Sequence, residues 1–367
     1  MNVFGQLICN FKHMKKLVLG FLTIIFSAVS WSQEPPSQEE LGEVLLTGTR
    51  LMIPFEEDSR SITIISKEMI DASPAQSLPD LLQQVAGVDV RRRGAMGTQA
   101  DLYIRGGSFD QTLLLIDGIK LDDAQTGHHT LNAALPLELI ERIEIIKGPA
   151  ARIYGQNAFT GAINIVTKSR FDAGVEVALS SGSFQQINAG ATAYHSTESA
   201  SHMVHFSRNT SRGYRYNTDY DQSNYAFKSV FNQQGRQIWH LLGSFSERAF
   251  GANGFYASPA ATDQFEATQT SVLGLSTAVS MGQLTLKPRV YWRRNQDEYI
   301  YLRNDPTVYR NLHATNKITA EVNGVFDSRL GTTGFGLDLT QTFLSSNNLG
   351  QRSRFATTLF VEHRMRF

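Results

Sequence analysis

Residues 136–168 read PLELIERIEIIKGPAARIYGQNAFTGAINIVTK. The stretch opens as a short helix, becomes a strand over Ile143 to Ile146, and stops where Gly148-Pro149 breaks the extended run. Just upstream, Leu102, Ile104 and the run Leu113 to Ile116 read as strands, and Asp117-Gly118 between LLLI and IKL is a hairpin signal. Further back, SLPDLLQQVAG at 77–87 has a helix start in Ser77 with Asp80, a tolerated Pro79 in the first turn, and a stop in Gly87. Short apolar strands thus alternate with short capped helices and Gly-rich turns from about 51 to 168, which is α+β organisation.

Beyond Lys168 the pattern changes to short alternating segments. In GVEVALS, Val175, Val177 and Leu179 share one face, opposite Glu176, Ala178 and Ser180. QLTLKPRVYW sets Leu284, Leu286, Val290 and Trp292 against Thr285, Lys287, Arg289 and Tyr291. One face suits lipid and the other water. Comparable segments recur to the end of the chain, giving about ten strands over 169–367 where a barrel wide enough to hold a domain needs about 22. The expectation is an antiparallel transmembrane β-barrel that is incomplete, with the chain a truncated N-terminal part. Phe367 resembles the aromatic ending of outer-membrane proteins. Tyr214, Tyr216, Tyr220, Phe255 and Tyr256 suit an interfacial girdle or a ligand-facing loop.

Composition agrees. Lys plus Arg and Asp plus Glu are equal at 34 each, so no long-range field marks a nucleic-acid binder. With only 19% charged residues, the chain is polar without being highly ionic. The single cysteine, Cys9, lies before an apolar run from Leu17 to Val29, itself preceded by Lys12, Lys15 and Lys16 and followed by Ser30 and Ser32. This is the layout of a secretory signal peptide over 1–32, too short for a comfortable membrane span, and Met14 is an alternative start. Residues 33–50 follow as the acidic, Pro-bearing spacer EPPSQEE and then LGEVLLTGTR. The isolated apolar run there is either the first strand of the next domain or an extended peptide that lends its backbone to another protein's sheet edge.

Taken together, GVDVRRRG, LYIRGGSFDQTLLLIDGIKL and the stretch quoted above resemble, in order and spacing, the plug domain of TonB-dependent outer-membrane receptors of the cobalamin and ferric-siderophore type. The resemblance rests on IRG at Ile104 to Gly106, LIDG at Leu115 to Gly118, ERIEIIKGP at Glu141 to Pro149, Tyr154-Gly155, and GAINIVTK at Gly161 to Lys168. It implies a small mixed sheet that blocks a barrel from inside. It also implies that Glu43, Val44, Leu45, Leu46 and Thr47 are a TonB box pairing with a periplasmic energy transducer. The other partners implied are outer-membrane lipid and a metal-chelate ligand, in a monomeric receptor. Residues at plug apices contact ligand in such receptors, which nominates Phe109, Gln111, Gln125, Thr126, His128, His129 and Asn132. A plug must hold the wall through polar contacts if it is to be loosened, and Arg105, Glu141, Arg142, Glu144 and Lys147 are nominated for that role. The family often has Arg where Lys147 stands, and Lys lacks the bidentate fork.

The implied activity is active transport of a scarce metal chelate by capture and plug gating. A receptor for oligosaccharide or peptide and a passive outer-membrane channel are the alternatives. Asp101, Asp110, Asp117, Asp122, Asp123, His128 and His129 assemble no nucleophile, base and orienter, so no enzyme is expected. The adjacent histidines have no third ligand at metal spacing and read as a solvated loop, without metal or cofactor. Asp219 and Asp221 read likewise, with outer-loop calcium as the other possibility.

Overall fold

The computed structural model describes residues 62–365, apart from 96–97, 134, 234–236 and the side chains of 152–153. The signal-peptide reading, the spacer and the segment Glu43 to Thr47 lie outside the described residues.

The first part is built from β1 (Ile62–Ile65), α1 (Lys67–Ala72), α2 (Leu78–Gln83), β2 (Val88–Arg92), β3 (Ala100–Ile104), β4 (Thr112–Ile116), β5 (Ile119–Lys120), β6 (Ile140–Lys147), α3 (Ala151–Tyr154) and β7 (Gly161–Thr167). Helix α2 starts where the sequence signal lies. Ser77 Oγ accepts from the Asp80 N–H at 3.4 Å and donates to its carboxylate at 2.7 Å, and Leu78, Leu81 and Leu82 on the inner face are buried. The five strands run in the order β1-β6-β7-β4-β5, with β4 and β7 parallel and the other pairs antiparallel, while β2 and β3 form a separate hairpin. Strand β4 is buried along its whole length, as its unbroken TLLLI requires. Asp117 and Gly118 take positive φ of 49° and 80°, so β4 turns directly into β5. Leu82, Ile104, Leu114, Ile116, Ile143, Ile145, Ile163 and Ile165 make the centre of the core. Each such side chain contributes on the order of 1.5–3 kcal/mol.

The second part contains β8 (Gly174–Gly182), β9 (Gln186–Ser196), β10 (Ala200–Ser211), β11 (Tyr220–Phe231), β12 (Trp239–Gly251), β13 (Phe265–Thr277), β14 (Val279–Met281), β15 (Leu284–Ile300), β16 (Arg310–Ser328), β17 (Gly331–Ser346) and β18 (Gly350–Met365). They form one antiparallel sheet in which ten strands follow chain order from β8 to β18 and short β14 pairs with β15. The alternation read in QLTLKPRVYW persists to the end of β15. Tyr291, Arg293, Asn295 and Asp297 are buried, whereas Val290 is exposed and Trp292 half-buried. On β13, Glu266, Thr268, Thr270 and Val272 are buried while Leu273 and Leu275 face outward. Polar side chains therefore meet the interior and apolar ones the outside, the pattern of a barrel wall.

Several local expectations change. The stretch around His128 and His129 is not a solvated loop but a 3-10 helix, Gly127–Asn132, with His129, Thr130, Leu131 and Asn132 buried. Tyr220 and Phe255 do not join a girdle: they bury against Phe250 and Ala252. Asp219 pairs with Arg303 at 2.6 Å and Asp221 with Arg208 at 2.6 Å, so these carboxylates are engaged by guanidinium groups.

Candidate functional site

The inner apex of the first part is shaped by two 3-10 helices, Phe109–Gln111 and Gly127–Asn132. Thr126 caps the second, its Oγ1 accepting from the His128 N–H at 3.3 Å. The two histidines then part company. His128 Nδ1 lies 2.7 Å from Asp101 Oδ1 and 2.7 Å from Gln99 Nε2, and its ring lies 4.1 Å from that of Phe109. His129 points toward the wall, with Nε2 3.5 Å from Asp297 Oδ2 and Nδ1 4.0 Å from Glu266 Oε1. Burial pulls the His129 imidazole down, but the hydrogen bond from Asp297 and the charges of Asp297, Glu266 and Asp123 outweigh it and hold the group above its ordinary value. Strand register explains the two carboxylates: Thr268 faces Asp297 across β13 and β15, and Glu266 is two residues along the same inward face. Tyr256, from the loop before β13, sets its hydroxyl between the Glu266 carboxylate and the Gln99 side-chain oxygen, with one proton to donate.

Above this cluster lies a cavity of about 630 Å³, lined from one side by Gln125, Thr126, His128 and His129 and from the wall by tyrosines 256, 299, 301 and 309 with Glu266 and Asp297. Its size falls in the usual range for a small-molecule pocket.

Below the apex, charge joins the inner part to the wall. Asp117 meets Lys228 at 3.0 Å, Asp122 meets Lys317 at 2.5 Å, Asp123 meets Arg293, and Lys120 meets Asp338 at 3.0 Å. Arg248 donates to Asn132 Oδ1 at 3.1 Å and to the Leu131 carbonyl at 3.2 Å. Burial by itself would push the three aspartates up, yet the facing cations and hydrogen bonds from Thr167, Lys317 and Thr315 hold all three carboxyls below their ordinary value. The interface is not wholly polar. Met203, Leu242, Val272 and Tyr291 of the wall are continuous with the inner core, and Ile119 seats in the notch left by Gly274.

Residues 55–162 match the family described as TonB-dependent Receptor Plug Domain. Over those residues the chain is a plug domain of this family. The vitamin B12 transporter BtuB of Vibrio vulnificus (strain CMCP6) is 39% identical over 147 residues, covering 40% of this chain and 24% of that protein. BtuB of Vibrio cholerae serotype O1 (strain M66-2) is 34% identical over 158 residues, covering 43% of this chain and 26% of its own length. Among solved structures, the closed form of the ferric-catecholate import receptor Fiu from E. coli K12 aligns with a TM-score of 0.63 at 17% identity, over 83% of this chain and 49% of that one. The siderophore receptor PiuA from Acinetobacter baumannii aligns with a TM-score of 0.62 at 13% identity, over 86% and 55%. These structural likenesses show the fold: a plug followed by antiparallel barrel strands. The chain spans about a quarter of the length of the transporters it matches in sequence and about half of the solved receptors. Among the described residues no helix is long and apolar enough to cross a membrane, which leaves open what strands do.

Of the receptor's nominated ligand residues, Gln125, Thr126, His128 and His129 line the cavity. Phe109 packs behind His128, the Gln111 side chain accepts from the Ser108 N–H at 3.1 Å, and Asn132 lies 3.1 Å from His129 Nδ1 beneath it. Arg142 and Glu144 pair with each other at 2.9 Å along β6, Glu141 and Arg105 are exposed, and Lys147 is half-buried. The bridges described above run through Asp117, Asp122 and Asp123, which were not nominated for wall contact, and through Lys120. Glu266, Asp297 and Tyr299 were not nominated either, whereas Tyr256 was among the residues suited to a girdle or a ligand-facing loop. Alternation along β13 and β15 marks Glu266 and Asp297 as inward-facing, but nothing local says that His129 meets them.

Proposed function

We propose that the receptor performs TonB-dependent active transport of a scarce metal chelate, a ferric siderophore or cobalamin, across the outer membrane. The observation that carries this reading is a plug held to its wall by buried ion pairs beneath a tyrosine-rich cavity. Ion pairs and hydrogen bonds can be exchanged for water when the plug is pulled, whereas a uniformly apolar seam would resist release. The names of the relatives, vitamin B12 transporter and ferric-catecholate import receptor, support a metal-chelate cargo. The work is a binding and gating cycle without covalent chemistry: ligand favours one plug state, and the energised partner favours another. Gln125, Thr126 and His128 contact the ligand, and Glu43 to Thr47 adds a strand to the periplasmic transducer.

Deleting Glu43 to Thr47 in cells that express the protein should leave ligand binding at the surface intact and abolish uptake. Uptake that survives the deletion would overturn active transport. Equilibrium binding of labelled cobalamin and of ferric siderophores separates the two cargoes. Binding of neither would redirect the reading to an oligosaccharide or peptide.

A further inference from the structure

Beneath the cavity, His129, Glu266 and Asp297 each present a ligand atom, and these atoms lie within 4.8 Å of one another. All three residues are buried, at 3%, 2% and 7% exposure. Asp297 Oδ1 is buried without a hydrogen-bond partner. The hydrogen bonds of the nearby guanidinium groups go to other residues: Arg293 to Asp123 and the His129 carbonyl, Arg248 to Leu131 and Asn132. Asp297 thus brings a buried carboxylate oxygen without a partner up to an imidazole and a second carboxylate. A buried carboxylate oxygen left without a partner is costly unless something fills its place.

We propose that His129, Glu266 and Asp297 form a binding site for a divalent first-row transition cation of the zinc type. The imidazole selects against calcium and magnesium, which prefer all-oxygen shells. Three protein ligands leave a fourth position for water or a ligand atom from the cavity. Metal–ligand bonds of about 2.0–2.2 Å place tetrahedral ligands about 3.3–3.6 Å apart. His129 Nε2 and Asp297 Oδ2 already stand 3.5 Å apart, and Glu266 has only to swing inward. The Tyr256 hydroxyl orients Glu266 from outside the site, as partners of metal ligands commonly do. Because His129 belongs to the plug and the two carboxylates to the barrel wall, a bound ion ties the one to the other.

The test uses the whole chain purified in detergent and stripped with a chelator, titrated with zinc by calorimetry and with cobalt(II) by visible absorption. Neither titration needs an energised partner, so a failure of the uptake reading leaves this result standing. The expected outcome is one bound ion with tetrahedral cobalt bands. Asp297→Asn and Glu266→Gln should each weaken binding at least tenfold, while His195→Ala, at an exposed position of β9, titrates as the unaltered protein. Circular dichroism checks that each variant keeps its sheet. A mutation-free check uses copper(II) with ascorbate, which should concentrate histidine oxidation at His129 in the mass spectrum. No ion taken up by the unaltered chain, variants that bind as it does, or oxidation spread over other histidines would each overturn the site.

Discussion

At Asp123 and Arg293 the side chains are 0% and 2% exposed, so the pair is out of reach of water. Arg293→Ala leaves a buried carboxylate unpaired, which costs about 3–5 kcal/mol. The plug of this variant should become protease-sensitive at a denaturant concentration where the unaltered protein resists. Replacing both partners together, Asp123→Asn with Arg293→Met, should recover much of that loss because no orphan charge remains; a double variant as weak as the single one would rule the ion pair out as the cause. The same aspartates set an acid limit. Asp117, Asp122 and Asp123 have carboxyls held below their ordinary value when docked. Their contribution to docking is therefore complete above the free value of about 3.9 and is lost as pH falls through the lower docked values. Plug protection against an acid-active protease should hold from neutral pH down to about 4 and decline only below it. A midpoint near 6 would point to histidine instead.

Helix α2 and strand β4 show how elements place the apex. The helix has a side-chain cap and a buried apolar stripe, and these two features differ in weight. Ser77→Ala removes the Oγ that accepts from the Asp80 N–H and should cost about 1 kcal/mol. Leu82→Ala, at a fully buried position, should cost about 2–5 kcal/mol through lost burial and the cavity left behind. Thermal unfolding of the plug measures both, and equal losses would contradict the assignment of the core. Each element was legible locally: Ser77 with Asp80, the run Leu113 to Ile116 and the Asp117-Gly118 turn lie where their short-range chemistry puts them. The histidine segment was not. Adjacent His128 and His129 look like loop residues until Leu131 and Asn132 are seen buried with them against the wall.

For the molecule as a whole, the relation of plug to wall decides function. Ile119 fills the notch at Gly274, where an added Cβ would collide with its Cδ1. Cysteines placed at these two contacting positions let the seam be closed by oxidation, and the sequence has no other cysteine than Cys9. The Ile119→Cys, Gly274→Cys variant, once oxidised, should bind ligand normally and fail to take it up, with uptake restored by reductant. Normal uptake by the oxidised form would show that the plug need not move at this seam. The sequence by itself determined the α+β plug, the alternating strands that follow, and the two faces of QLTLKPRVYW in β15, because caps, turns and period-two alternation act over a few residues. Only the tertiary structure decided that Asp122 meets Lys317, and that His129 meets Glu266 and Asp297. Those meetings depend on how the plug is rotated and seated against strands far along the chain, which is set by packing across the whole interface and leaves no short-range signal.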